Sequence, residues 1–156
     1  MRCADPKNLS SLLDYDEAGG NIDYISITEG TKIYLPVNFE KSLMSVGDVH
    51  AAQSEGELGR SGIEISASLT LNINVSYGKY TNRVHLISEN KITFFGFCET
   101  LEKAIQGGNN QALNCSNDGS DEKILSRLII AQSVKINIVK PQQLVVAIEL
   151  SLDLFK

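Results

Sequence analysis

The sequence predicts a mainly β (α+β) fold, a single domain over residues 1–156, with two helices in its C-terminal half. Three observations predict it. Residues 63–75 alternate strictly, with Ile63, Ile65, Ala67, Leu69, Leu71, Ile73 and Val75 against Glu64, Ser66, Ser68, Thr70, Asn72 and Asn74. That is the period of a half-buried strand. Leu144, Val146, Ile148, Leu150, Leu152 and Leu154 repeat it near the other end, with Glu149, Ser151 and Asp153 on the opposite face. Only two stretches change to helical spacing.

In chain order, residues 24–27, 31–37, 83–88, 92–97 and 134–139 are rich in Ile, Val, Tyr and Phe, which favour a pleated surface. They are expected as shorter strands. A short helix is expected over 100–106: Leu101, Ala104 and Ile105 share a face, Thr100 can cap it, and Gly107-Gly108 should stop it. The polar, Gly- and Asn-rich stretch 107–119 is then a surface loop. A second helix is expected over 121–133, where Ser120 can cap, Asp121 and Glu122 suit the positive end, and Ile124, Leu125, Leu128 and Ile129 form one apolar face. Pro141 marks the start of the last strand.

A composition 42% hydrophobic and 21% charged belongs to a globular chain and excludes disordered and fibrous classes. At this length the fold can bury a core without disulfide or metal staples. The formal charge of −5 has the wrong sign for a general nucleic-acid binder, so no nucleic acid is expected as partner. Cys3, Cys98 and Cys115 lack paired C-x-x-C spacing, which favours a reduced, cytoplasmic setting. No secretory signal opens the chain and no run nears the ~18 apolar residues of a membrane span, so no membrane association is expected.

Chemistry concentrates in residues 47–64. Asp48 and His50 stand two apart, so an extended backbone would point both to one side, a fair start for a metal pair. Glu55 and Glu57 repeat the spacing, and Glu64 opens the polar face of the long strand. Gly56, Gly59 and Gly62 let the loop bring its backbone close to a ligand. Taken singly, each residue has a bland reading: glutamates are mostly solvated surface, and a histidine often only hydrogen-bonds at a partly buried site. His85, inside Val84-His85-Leu86, reads as an exposed-face strand residue, and Cys98 and Cys115 as core or loop thiols.

Taken together, the segment is more specific. Leu35-Pro36-Val37, followed by Ser45-Val46-Gly47-Asp48-Val49-His50-Ala51-Ala52-Gln53-Ser54-Glu55-Gly56-Glu57, resembles the signature of the acetamidase/formamidase family, a G-D-x-H-A-A-Q-G-D-G-E run. Gly19-Gly20-Asn21-Ile22-Asp23 is similar to its G-G-N-x-D element, and Ile63-Glu64 to the I-E after the signature. The stretch Glu99-Thr100-Leu101-Glu102-Lys103-Ala104-Ile105, and Ala131-Gln132-Ser133 before Pro141, resemble its C-terminal part. Ser54 stands where the family has Gly and Glu55 where it has Asp. The resemblance covers nearly the whole chain but corresponds to the family's C-terminal portion, without its N-terminal half.

The resemblance implies a metal-dependent amidohydrolase that releases ammonia from formamide or short aliphatic amides. A divalent ion would lower the pKa of bound water and polarise the carbonyl. Asp48 and His50 are the candidate metal ligands, and Glu64 and Glu57 the candidate proton carriers. The mixed O/N donors put zinc ahead of calcium. With the N-terminal half lacking, weak amidase activity is expected from the isolated chain, as is a homo-oligomer or a partner chain supplying that half. The competing expectation is a non-catalytic homologue, or a β-rich interaction module that folds with a partner.

Overall fold

The computed structural model describes residues 1–4, 15–16, 18–54, 57, 59, 61–77, 83–115, 133–140 and 143–155. Its strands are β1 (Arg2–Ala4), β2 (Tyr15–Asp16), β3 (Gly19–Gly20), β4 (Lys32–Tyr34), β5 (Leu43–Ser45), β6 (His50–Ala52), β7 (Ile63–Glu64), β8 (His85–Ser88), β9 (Lys91–Cys98), β10 (Ser133–Lys140) and β11 (Gln143–Ser151). One α-helix, α1 (Leu101–Cys115), follows β9, and a 3-10 turn, Leu152–Phe155, follows β11. The main sheet is antiparallel, in the order β10-β11-β9-β8-β4. A smaller sheet runs β2-β3-β1-β5, and β6 pairs β7 apart from both.

The period of two along β9 and β11 divides the core between the faces of the main sheet. Ile92, Phe94, Val146, Ile148 and Leu150 point to one face and bury Ala104 and Ala112 of α1. Val145, Ala147 and Phe95 point to the other, where they cover Val84, Leu86, Ile22 and Tyr24. Burying each large aliphatic or aromatic side chain contributes about 1.5–3 kcal/mol, so this sandwich is the rigid body on which the loops rest. Tyr24 fixes the 18–30 segment to it: its ring meets Phe95 edge-on at 5.3 Å, and its hydroxyl donates to buried Glu149, which Lys91 also reaches.

Several expectations are corrected. The helix does not stop at Gly107-Gly108 but runs on to Cys115, so 107–115 is not a loop. Packing overrides the poor helix propensity of glycine: a Cβ on Gly96 would lie 1.7 Å from Ala104 O, and one on Gly108 would lie 2.7 Å from Ile148 Cδ1. Gln111 then binds the helix to the sheet, accepting from Phe95 N and donating to Val84 O. There is one α-helix among the described residues, not two. The helix expected over 121–133 falls on residues outside the described ones, except Ser133, which begins β10. Pro141 is likewise outside them.

Among the described residues, 63–75 pair only at Ile63–Glu64, and no ladder runs through 65–75. Ile63, Ile65, Leu69, Leu71, Ile73 and Val75 are all exposed. The alternation implies one covered face, and among the described residues the only pairing partner of this stretch is β6. Residues 24–27 form a turn closed by Ile27 N donating to Tyr24 O. β11 ends at Ser151, where Leu152 N donates to Asn90 O and turns the chain out of the sheet. His85 is buried, not exposed: its ring stacks on Tyr34 at 4.6 Å and lies against Phe94. Burial lowers its pKa.

Candidate active site

His50 begins β6, opposite Glu64 of β7, with an irregularity in the pairing before Ala52 opposite Ile63. Ile65 N donates to Val49 O and holds the two segments together just beyond the ladder. The imidazole lies across the backbone at Gly62. A Cβ there would come within 2.7 Å of His50 Cγ and 2.9 Å of its Nδ1, so only glycine leaves room for the ring. The His50 side chain is 6% exposed.

Both ring nitrogens face acceptors. Nε2 lies 3.1 Å from Glu64 Oε1 and 3.4 Å from Asp48 Oδ1; Nδ1 lies 3.1 Å from Gln53 Oε1 and 3.4 Å from Glu57 Oε1. Gln53 is fixed in turn, because its amide nitrogen donates to Asp23 O. With the Asn21 amide turned so that its nitrogen faces them, it donates to Asp48 Oδ2 at 3.1 Å and Asp23 Oδ1 at 3.0 Å. Two groups with metal-holding geometry result, Asp23–His50–Glu57 and Asp48–His50–Glu64, both sharing the imidazole.

The backbone is strained where it delivers these carboxylates. Asp23, Asp48 and Glu57 all have positive φ, at 49°, 66° and 34°, among five such non-glycine residues in the described chain. Left-handed conformations at non-glycine residues cost of order 1–3 kcal/mol each and cluster at functional sites. Asp48 therefore reaches His50 through a left-handed turn, and not by the alternation of an extended strand.

Four carboxylates around one imidazole set the electrostatics. The hydrogen bond to Gln53 raises the His50 pKa, burial opposes it, and Glu64, Asp48 and Glu57 add to the rise. Burial, then the charges of Glu57 and Asp48, push Asp23 up to about 6, while His50 pulls it back. Glu57 is buried, and among the described residues its Oε1 has no hydrogen-bond partner. Such a cluster can hold a cation, take a proton from water and return it.

The structure thus brings Asp48, His50, Glu57 and Glu64 together. Glu55 and Gly56 lie outside the described residues. Sequence reasoning assigned no role to Asp23, Asn21, Gln53 or the space above Gly62. Asp23 and Asn21 sat in the G-G-N-x-D element, but no period links that element to His50; long-range contacts do, among them Gln53 Nε2 donating to Asp23 O and Asn21 donating to Asp48.

Comparison with known proteins gives a consistent picture. The model of the Acetamidase/Formamidase family matches residues 13–117. An acetamidase of Mycolicibacterium smegmatis is 32% identical over 93 residues, 51% of this chain and 23% of that protein. A formamidase of Methylophilus methylotrophus is 34% identical over 58 residues, 36% of this chain and 14% of its own length. Among solved structures, a predicted acetamidase/formamidase of Thermoanaerobacter tengcongensis superposes with a TM-score of 0.82 at 26% identity, over 90% of this chain and 48% of the other. The chain spans under a quarter of these curated relatives and about half of that solved chain.

Proposed function

The chain belongs to the acetamidase/formamidase family, and from that premise we propose that the cluster around His50 hydrolyses a short amide, formamide or acetamide, to the carboxylic acid and ammonia. One observation carries the reading: a histidine 6% exposed and ringed by four carboxylates, three of them on strained backbone. The names of the relatives supply the substrate class; the geometry supplies groups suited to it.

An amide carbonyl is a poor electrophile and water a poor nucleophile at neutral pH. The family chemistry implies a divalent ion, and the mixed O/N donors put zinc ahead of calcium; the residues fit one, since among the described residues buried Glu57 Oε1 lacks a hydrogen bond and the groups facing the ring are acceptors. His50 would hold the ion with carboxylates among Asp23, Asp48 and Glu57. When bound, such an ion supplies a polarised carbonyl and a more acidic water.

The protein's own groups do the rest. Glu64, 63% exposed and 3.1 Å from His50 Nε2, is open to substrate and able to accept a proton from the attacking water and pass it to the leaving nitrogen. His50 steadies that carboxylate, and Asn21 steadies Asp48 beside it. The purified chain should release ammonia from formamide or acetamide slowly, because substrate is positioned by few groups of this chain and misplacement by ~1 Å costs on the order of 10²-fold. Glu64→Gln should remove that release. No ammonia from any short amide above the buffer rate would reject the enzymatic reading.

The second reading, a non-catalytic module that folds with a partner, draws on the exposed apolar side chains of 63–75. The two readings combine if the chain works as a homo-oligomer or beside a partner chain. No described helix is long and apolar enough to cross a membrane.

A further inference from the structure

The β6–β7 pair that carries His50 and Glu64 belongs to neither larger sheet. A ring that takes part in catalysis has to be held more closely than a short two-stranded ladder alone can hold it. The hold comes from segment 18–30. Gln53 donates from its amide nitrogen to Asp23 O, which leaves its oxygen to face His50 Nδ1, at 3.1 Å. Nδ1 then carries a proton, since a carbonyl oxygen can only accept. Asp23 therefore sets the Gln53 amide, and the Gln53 amide sets the rotation of the ring.

Asp23 does not hold this place by its own backbone preference, because its φ of 49° is left-handed. The next residue anchors it. Tyr24 is buried, its ring meets Phe95 edge-on, and its hydroxyl donates to Glu149 Oε1. Glu149 lies on β11, opposite Thr93 of β9 and Ser133 of β10, and is itself buried; Lys91 donates to its second oxygen at 3.2 Å. Stability alone does not ask for a carboxylate there. Taking a charge out of water costs much of what its partners return, and apolar residues of similar size commonly serve a core as well or better. What the apolar contact with Phe95 lacks is direction. The hydrogen bond to Glu149 fixes how deep the Tyr24 ring sits, and hence where the adjoining Asp23 carbonyl points.

We propose that Glu149 is a positioning residue of the His50 site: through the Tyr24 hydroxyl it holds Asp23, Asp23 O holds the Gln53 amide, and Gln53 Oε1 holds the His50 ring. The rigid main sheet thus orients an imidazole that stands on a ladder outside it, by a bond between residues 125 apart in the chain. Glu149 acts through these groups and not on the reacting atoms. The inference rests on reading His50 as part of a hydrolytic site, but its first readout needs no substrate.

The full chain, isotope-labelled for NMR, is compared with Glu149→Leu, Tyr24→Phe, the double variant and Glu149→Gln. The Gln53 side-chain amide and the His50 ring nitrogens are followed, and His85, packed on Phe94 of the main sheet, is the control for distortion of that sheet. Glu149→Leu should speed Gln53 amide exchange by roughly 5–10-fold and move the His50 ring signals, with those of His85 unchanged. Glu149→Gln keeps an oxygen for the Tyr24 hydroxyl and should restore wild-type exchange. The double variant separates positioning from bulk stability. It removes both polar partners of the Tyr24–Glu149 bond together, so its thermal midpoint should return toward wild type while Gln53 exchange stays fast. It also carries the test, with Tyr24→Phe, if Glu149→Leu does not fold. Gln53 exchange that follows the thermal midpoint across the variants, or stays at the wild-type rate, overturns the inference. Where wild type releases ammonia from formamide, kcat of the double variant should fall by about 10²-fold with KM little changed, and an unchanged kcat also overturns it. No release by wild type, with the NMR changes present, keeps the positioning of the ring and removes the amidase reading.

Discussion

Asp23 shows how one residue couples the site to stability. Its carboxyl is raised from the ordinary 3.8 to about 6 by burial and by Glu57 and Asp48. An acid raised on folding favours the protonated native state, so its stabilisation is complete below the unfolded value and is lost as pH rises through about 6. A shift of that size corresponds to at most ~3 kcal/mol, reduced to about 1–2 by partial exposure. His50, also raised, loses its contribution in the same direction. Metal-free protein should therefore resist urea better near pH 5 than near pH 7.5, and Asp23→Asn should flatten the difference. A wild-type profile that rises with pH across this window, unchanged in Asp23→Asn, would contradict the electrostatic account. At this scale the sequence was legible where neighbours in the chain meet: Asp48, His50, Glu57 and Glu64 fall within one motif. Asp23 joins from about thirty residues upstream, through long-range contacts such as Gln53 Nε2 to its carbonyl, which no local pattern encodes.

Among the elements, β9 and β11 were readable because their alternation is satisfied by partners on both edges. The length of α1 was not. A Gly-Gly pair ends most isolated helices, but here the missing side chains let the helix lie on the sheet, and the packing outweighs the propensity. Gly96→Ala should thus cost more than ~2 kcal/mol, because its Cβ would meet the backbone at Ala104 O and Gly108 N, neither of which can rotate away. Gly107→Ala is the control. Its Cβ would meet nothing closer than Arg83 Nη1 at 3.5 Å, and alanine should gain about 0.5–1 kcal/mol of helix stability. Thermal unfolding of the two variants gives the comparison, and equal losses would mean that helix and sheet do not pack as closely as described.

The main sheet and α1 form a body with a two-sided core, while among the described residues 65–75 has no ladder and its large apolar side chains are exposed. The stretch from Ile65 to Val75 carries no charge and no proline, the usual protections of an unpaired strand. The half-buried strand that the alternation of 63–75 predicts is not formed beyond Ile63–Glu64, because a period of two says nothing about which segment or chain supplies the neighbour. Sedimentation should accordingly show self-association or capture of a partner, weakened by Leu69→Lys, and a clean monomer at high concentration would count against it. The central claim, that the His50 cluster is a hydrolytic site, has a direct test in the two histidines. Ammonia release from formamide by the metal-loaded chain should vanish in His50→Ala and persist in a folded His85→Ala, whose ring packs between Tyr34 and Phe94. Equal activity in both variants would contradict the claim.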